Sequence, residues 1–258
     1  MDPMVKISKE FPDVKFEHAS GFKTTENMGN YYGRMYQAKY LAGMVAGMRT
    51  ESNTIGYAAP HAIPQIIRLV NAYQLGARSV NPDVNVKVVW TNSWYNPAKA
   101  KEATKSLLEA GADVINHQLT SPAPMQTAQE ADAWSFGMHS DMSNFAPESV
   151  LASQVWNWGE FYVRTIKEVQ NGTWESDSYF GGMEDDMISL KLTDKITEKE
   201  REAINKIQKK LASGEMQVFE GPLRDNQGNL KAEQGSALST GEIRSMEWLV
   251  EGVKGNLP

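Results

Sequence analysis

Apolar positions recur along this chain with two periods in turn, and that alternation predicts the architecture. "VKFEH" at 14–18 alternates like a strand, and "TIGYA" at 54–58 reads as a short buried one. Leu41, Met44, Val45 and Met48 fall at helical spacing between them, and Ile63, Ile66, Ile67 and Val70 give the next helix its apolar face. In "VNVKVVW", Val84, Val86, Val88 and Trp90 share one face of a strand. Asn96 and Pro97 then supply an N-cap and a first-turn proline for a helix carrying Ala100, Ala103, Leu107 and Leu108, which Gly111 ends. "ADVIN" is another buried strand, Ser121-Pro122 opens another helix, and "WSFGM" at 134–138 closes the series. Strands and helices taking turns predict an α/β fold with a parallel sheet covered on both faces, since a parallel crossover usually needs a helix.

The second half is patterned differently. Trp158, Phe161, Tyr162, Thr165, Ile166 and Val169 make one amphipathic helix, stopped by "NG" at 171–172, and the strand "MISLKL" follows. Thr197 with Glu200 is a capping box for a charged helix whose inner stripe is Ala203, Ile204, Ile207 and Leu211, with Gly214 as its stop. "MQVF", a polar turn "RDNQGN" and a last helix with Ile243, Met246, Val250 and Val253 complete the chain. Asp2-Pro3 is a cap and first-turn pair, so the sequence begins directly with a helix, whereas the other helices of the first half follow strands.

Composition narrows the function. With 258 residues, 41% hydrophobic and 22% charged, the chain suits one large globular domain or two modest ones. A net charge of −6, with no run of Lys or Arg longer than two, argues against a nucleic-acid partner, which needs a concentrated basic face. No apolar stretch approaches the roughly 20 residues that span a bilayer. The absence of cysteine excludes disulfides, thiolate metal sites and thiol nucleophiles. No nucleophile elbow, metalloprotease helix or Walker loop is present, and the four histidines lack ligand-like spacing. Neither catalytic residues, a metal nor a cofactor is expected.

The segments "GNYYGRMYQAKYLAGMVAG", "TNSWYNPAKAKEATKSLLEAGADVI", "HSDMS", "WGEFYVRTIKEVQNGTW" and "GGMEDDM" resemble, in order, the landmarks of the basic membrane protein (BMP, or PnrA-like) family. The resemblance implies a substrate-binding protein of an ABC importer with the type I periplasmic-binding-protein fold, two Rossmann-like lobes with parallel sheets joined by a multi-strand hinge. The form with "NSW" and "SPAPMQ" is similar to members that hold adenine or a related purine. By that resemblance, residues 1–51 and 147–175 form lobe 1, residues 52–146 and 176–236 form lobe 2, and residues 237–258 are a C-terminal helix packing on a lobe. Members begin with additional strand-helix units, and lobe 1 is expected to lack its first ones here. The implied partners are a purine base or nucleoside, adenine favoured, and a membrane permease. Contact with the membrane would be indirect, through the permease or a lipid anchor absent from this chain, and the implied location is the periplasm or cell surface. A small-molecule sensor or a sugar-binding domain of the same fold is the alternative.

In such folds the ligand lies in the interlobe cleft, outside the carboxyl ends of parallel strands. Trp94 follows the strand ending at Trp90 and offers a stacking plate for a planar heterocycle, or else packs into a core. Asp141, after "WSFGM", accepts from an exocyclic amine, a ring N–H or a ribose hydroxyl, or makes an Asx turn. Asn92, Gln118 and Thr120 follow their strands and read a base edge or serve as ordinary loop residues, and His117 is a neutral donor or acceptor at the same mouth or a structural histidine. Tyr31 and Tyr32, with Asn30, precede the first long helix and form a facing aromatic wall or else pack into a lobe, and Trp158, near the start of its helix, contacts the ligand or packs into a core. Gly182 and Asp185 match the family's glycine-rich turn with its acidic residue, a ribose or base contact, though the same acidic run can be a solvated turn.

Overall fold

The strand and helix signals up to residue 139 appear element by element in the computed structural model, which describes residues 2–258. Helix α1 (Asp2–Glu10) leads to β1 (Phe16–Ala19), β2 (Met28–Gly33) and α2 (Tyr36–Arg49). Strand-helix pairs follow: β3 (Thr54–Ala59) and α3 (Pro64–Val80), β4 (Asn85–Trp90) and α4 (Pro97–Glu109), β5 (Val114–His117) and α5 (Ala123–Glu130). After β6 (Trp134–His139) come β7 (Val150–Trp156), α6 (Trp158–Asn171), β8 (Ser178–Gly181), β9 (Ile188–Leu192) and α7 (Glu198–Ala212). A hairpin of β10 (Leu223–Arg224) and β11 (Leu230–Ala232), the short helix α8 (Thr240–Arg244) and β12 (Val253–Lys254) complete the chain.

The chain divides into two compact units, the smaller made of the residues up to Met35 with Trp156–Ser189, the larger of Tyr36–Val155 with Leu190–Pro258. These boundaries differ from the expected ones. Residues 36–51 go with the larger unit because α2 packs along α3, and residues 147–155 go with it because β7 pairs with β6. Residues 176–189 go with the smaller unit because β8 pairs with β2. The expected C-terminal helix is confined to Thr240–Arg244, and Val253 instead extends the large sheet, opposite Val86.

In the larger unit the strand order is β12-β4-β3-β5-β6-β7-β9. The registers Ala59↔Trp90 and Ala58↔His117 bring the carboxyl ends of β4, β3 and β5 into one row. Ala100, Ala103 and Leu107 of α4 pack with Ala58, Ile115 and Ala128 on one face, as their spacing predicts. On the other face Tyr73 meets Tyr57 and Phe136 edge-on, at ring separations of 5.7 and 5.9 Å. Helices α2 and α3 approach so closely that a methyl group on Gly76 would strike the Tyr40 carbonyl, and one on Gly43 the Tyr73 carbonyl. Gly76→Ala is therefore expected to cost about 3 kcal/mol in urea unfolding, since backbone cannot yield as a side chain can. Gly241→Ala, with only Ser239 Oγ 3.9 Å away, should stay within about 0.5 kcal/mol of the parent.

In the smaller unit β1, β2 and β8 form a parallel three-stranded sheet, in register at Phe16↔Met28 and Tyr31↔Tyr179. Phe161 of α6 stacks on Tyr31 at 4.5 Å and on Tyr179 at 5.1 Å. Gly172, in the left-handed conformation at φ 69°, ends the helix where the sequence predicts. The expected apolar stripe is only partly covered: Trp158 and Thr165 are half-buried, while Tyr162, Ile166 and Val169 are 44, 57 and 43% exposed. A narrow sheet meets a helix along one line of side chains, and Phe161 occupies that line.

Candidate functional site

The loop after β4 is pinned at both ends. Thr91 donates from its amide and its hydroxyl to the Ala59 carbonyl, at 2.8 and 3.2 Å. Downstream, Asn96 Oδ1 accepts from the Lys99 amide at 3.0 Å and caps α4 with Pro97 behind it. Between these anchors the Trp94 carbonyl accepts from the amide of Thr120 at 3.0 Å and from its hydroxyl at 2.8 Å. The main chain of Trp94 is thereby fixed while its indole remains 42% exposed. His61, two residues beyond β3, sets its imidazole 5.4 Å from that indole at a tilt of 55°. The carboxyl edge thus brings together Trp94, Thr120 and His61. Thr120 serves to hold the plate, since its hydroxyl donates to the Trp94 carbonyl. His61 was not anticipated, although it follows a buried strand just as Asn92 and Thr120 follow theirs. Asn92 stands apart in an open hollow with Trp90, Lys99 and Glu102. Its φ of 52° is left-handed, a conformation asparagine adopts more readily than most residues, so the turn itself explains its identity.

Beneath this edge lies a buried basic cluster. Lys39 of α2 is fully buried, donates to Asn116 Oδ1 at 3.1 Å and to the His117 carbonyl at 3.0 Å, and lies 5.2 Å from the Tyr57 ring. Burial drives its ammonium well below the usual lysine range. His117 is also fully buried, its Nδ1 facing the main chain of Leu119. Burial first, then the charges of Lys39 and His139, lower the His117 pKa to about 3. Burial and Lys39 lower that of His139 to about 4. Gln118 is 4% exposed and its amide donates to the Ala58 carbonyl. The expected readers His117 and Gln118 therefore lie under the edge rather than on it.

Asp141 is engaged locally. Its Oδ1 accepts from the amide and hydroxyl of Ser143 at 3.1 and 2.8 Å, an Asx turn, and its Oδ2 meets Lys191 Nζ at 2.7 Å. Lys191 and the Ser143 hydrogen bonds hold its pKa down at about 2.

In the smaller unit Asn30 is buried in β2, accepts from the Ser178 hydroxyl at 2.8 Å and so ties β2 to β8. Tyr32 lies 5.1 Å from Trp156, and Trp156 stacks on Trp158 at 4.5 Å with their planes 18° apart. The amide of Gly182 donates to Asp185 Oδ2 at 3.1 Å, closing a one-turn 3₁₀ segment at Met183–Asp185. Asp185 also lines a hollow of about 430 Å³ with Phe161, Arg164 and Tyr179, where Arg164 lies 4.6 Å over the Tyr179 ring. Among the described residues no group of three or more His, Asp or Glu is placed to hold a metal, and no helix is long and apolar enough to cross a membrane.

The chain as a whole is similar to known proteins. A putatively assigned ABC transporter glucose-binding protein of Haloferax volcanii, TsgA13, is 38% identical over all of this chain, which spans 63% of that protein. A purine-binding protein of Brucella abortus is 36% identical over the whole chain, which covers 74% of it. An ABC transporter solute-binding protein of Aeropyrum pernix superposes with a TM-score of 0.72 at 17% identity, over 87% of this chain and 74% of that one. A transcriptional activator of the comK gene from Bacillus halodurans superposes at 0.71 and 24% identity, over 82% of this chain and 74% of that one. These two likenesses show the fold, that of type I periplasmic binding proteins. The model of the PnrA-like ABC transporter substrate-binding proteins matches residues 1–220. Such proteins are not enzymes; they bind a ligand, work with permease components and normally act outside the cytoplasm. The chain belongs to this family, the Bmp family of ABC transporter substrate-binding proteins.

Proposed function

We propose that this chain binds a purine base or nucleoside, adenine favoured, and delivers it to an ABC permease in the periplasm or at the cell surface. The observation that carries the reading is the Trp94 plate, held by two hydrogen bonds from Thr120 and left open at the carboxyl edge of a parallel sheet. An indole offers a base its largest apolar contact, and stacking on an aromatic contributes about 1–3 kcal/mol per base in nucleic-acid systems. A purine-binding relative aligned over the full chain supports the same ligand class. A hexose is the second reading, favoured by the glucose-binding name of the other relative, since sugars also stack on aromatic plates. A thermal-shift panel separates the two, because a ligand that binds only the folded chain raises its stability by about 2.7 kcal/mol at a hundredfold excess over Kd. Adenine, adenosine, inosine and guanosine are expected to include the ligands that raise the melting temperature. A shift with glucose and none with any purine would replace the purine reading with the hexose one.

A further inference from the structure

The geometry points to His61 as the specificity-determining residue of the Trp94 site, an inference that rests on the purine reading. Strand β3 runs between β4 and β5, so the loop that follows it emerges between the Trp94 loop and the Thr120 loop. His61 is half-buried there, and its ring packs beside the indole at 5.4 Å. The polar residues the sequence singles out after β5 and β6 are engaged or buried. Thr120 donates to the Trp94 carbonyl, Asp141 is paired with Lys191 and Ser143, and Gln118 and His117 are buried below. The His61 imidazole makes no hydrogen bond to another described residue, while the carbonyl of the same residue accepts from the Ile63 amide at 2.9 Å and fixes its backbone. It is therefore a polar side chain with spare hydrogen-bonding capacity set directly beside the plate.

A tilted ring beside a stacking face meets the edge of whatever lies on that face. A neutral imidazole has one donor and one acceptor, and an aminopurine edge carries an exocyclic N–H donor next to a ring-nitrogen acceptor. Trp94 then supplies affinity that is blind to substituents, whereas His61 discriminates among purines by hydrogen bonding. A site built to hydrogen-bond a polar group rejects an analogue lacking it far more strongly than an apolar site can.

The test is calorimetric titration of the parent, His61→Phe and His61→Gln with adenine and with unsubstituted purine, beside melting temperatures of the free proteins. The parent is expected to prefer adenine over purine. His61→Phe, which keeps an aromatic ring against Trp94, should lose adenine affinity by about tenfold and collapse that preference, with the melting temperature unchanged. His61→Gln should retain most of the preference. Parent-like affinity and preference in His61→Phe would overturn the assignment of His61 alone. A parent that takes up no purine would overturn the purine reading and this assignment with it.

Discussion

Replacing Trp94 with alanine is expected to weaken purine binding by one to two orders of magnitude while leaving the folded state nearly as stable as before. The asymmetry follows from exposure. An indole 42% exposed contributes little to the core, so its removal should move the urea midpoint by less than about 1 kcal/mol. The same exposed face is what a base would cover, at about 1–3 kcal/mol. Thr120→Val separates position from contact. It removes the hydroxyl that meets the Trp94 carbonyl at 2.8 Å, keeps the side-chain shape, and leaves the amide bond in place. An affinity loss of a few-fold, smaller than that of Trp94→Ala, identifies Thr120 as the residue that holds the plate. Equal losses would mean that Thr120 touches the ligand itself. Titration calorimetry on the two variants, with urea unfolding of each, distinguishes these outcomes.

The second large effect is loss of stability in mild acid. His117 and His139 keep pKa values of about 3 and about 4 in the folded chain, against about 6.5 once unfolded. Between about pH 6.5 and 4 the unfolded chain therefore binds more protons than the folded one, and stability falls as pH falls. The limiting slope is about 1.4 kcal/mol per pH unit for each histidine. Above about pH 6.5 both states carry neutral imidazoles, and the histidines contribute no further pH dependence. Asp141, held at about 2, begins to lose its own contribution only below about pH 4, so it does not enter the window above that value. Lys39→Met removes the neighbouring charge but not the burial, and both imidazole titrations should move upward by NMR while staying below the usual histidine value. A urea midpoint that holds constant from pH 7 to 4.5 would contradict the burial of these rings.

Much of the fold was legible because its signals are local. Asn96 with Pro97, Thr197 with Glu200 and Gly172 set helix ends through bonds between near neighbours, and all three act as their identities predict. The unit boundaries were not legible, since they depend on which distant strands pair. Nothing in "SYFG" states that Ser178 lies opposite Asn30. The apolar stripe of α6 shows the same limit: periodicity marks which residues share a face, and the width of the opposing sheet decides how many are buried. Lys39 looks like an exposed position by residue type, and only the packing of α2 along α3 and beside Asn116 buries it. Site residues divide along the same line. Trp94 could be placed because a strand end and a capped helix bracket it within a few residues. Asp141 kept two readings in the sequence, and Ser143 and Lys191 engage it in the one the Asx turn describes. His61 follows β3 as Asn92 follows β4, but its place beside Trp94 depends on the order of three strands.

Calorimetric titration of the parent chain with adenine, followed by glucose into a fresh sample, tests the central claim most directly. Saturable heat with one adenine per chain, a negative heat-capacity change from covering an apolar plate, and no saturation with glucose are expected. Saturation by glucose with adenine silent would contradict that claim and assign the Trp94 plate to a sugar.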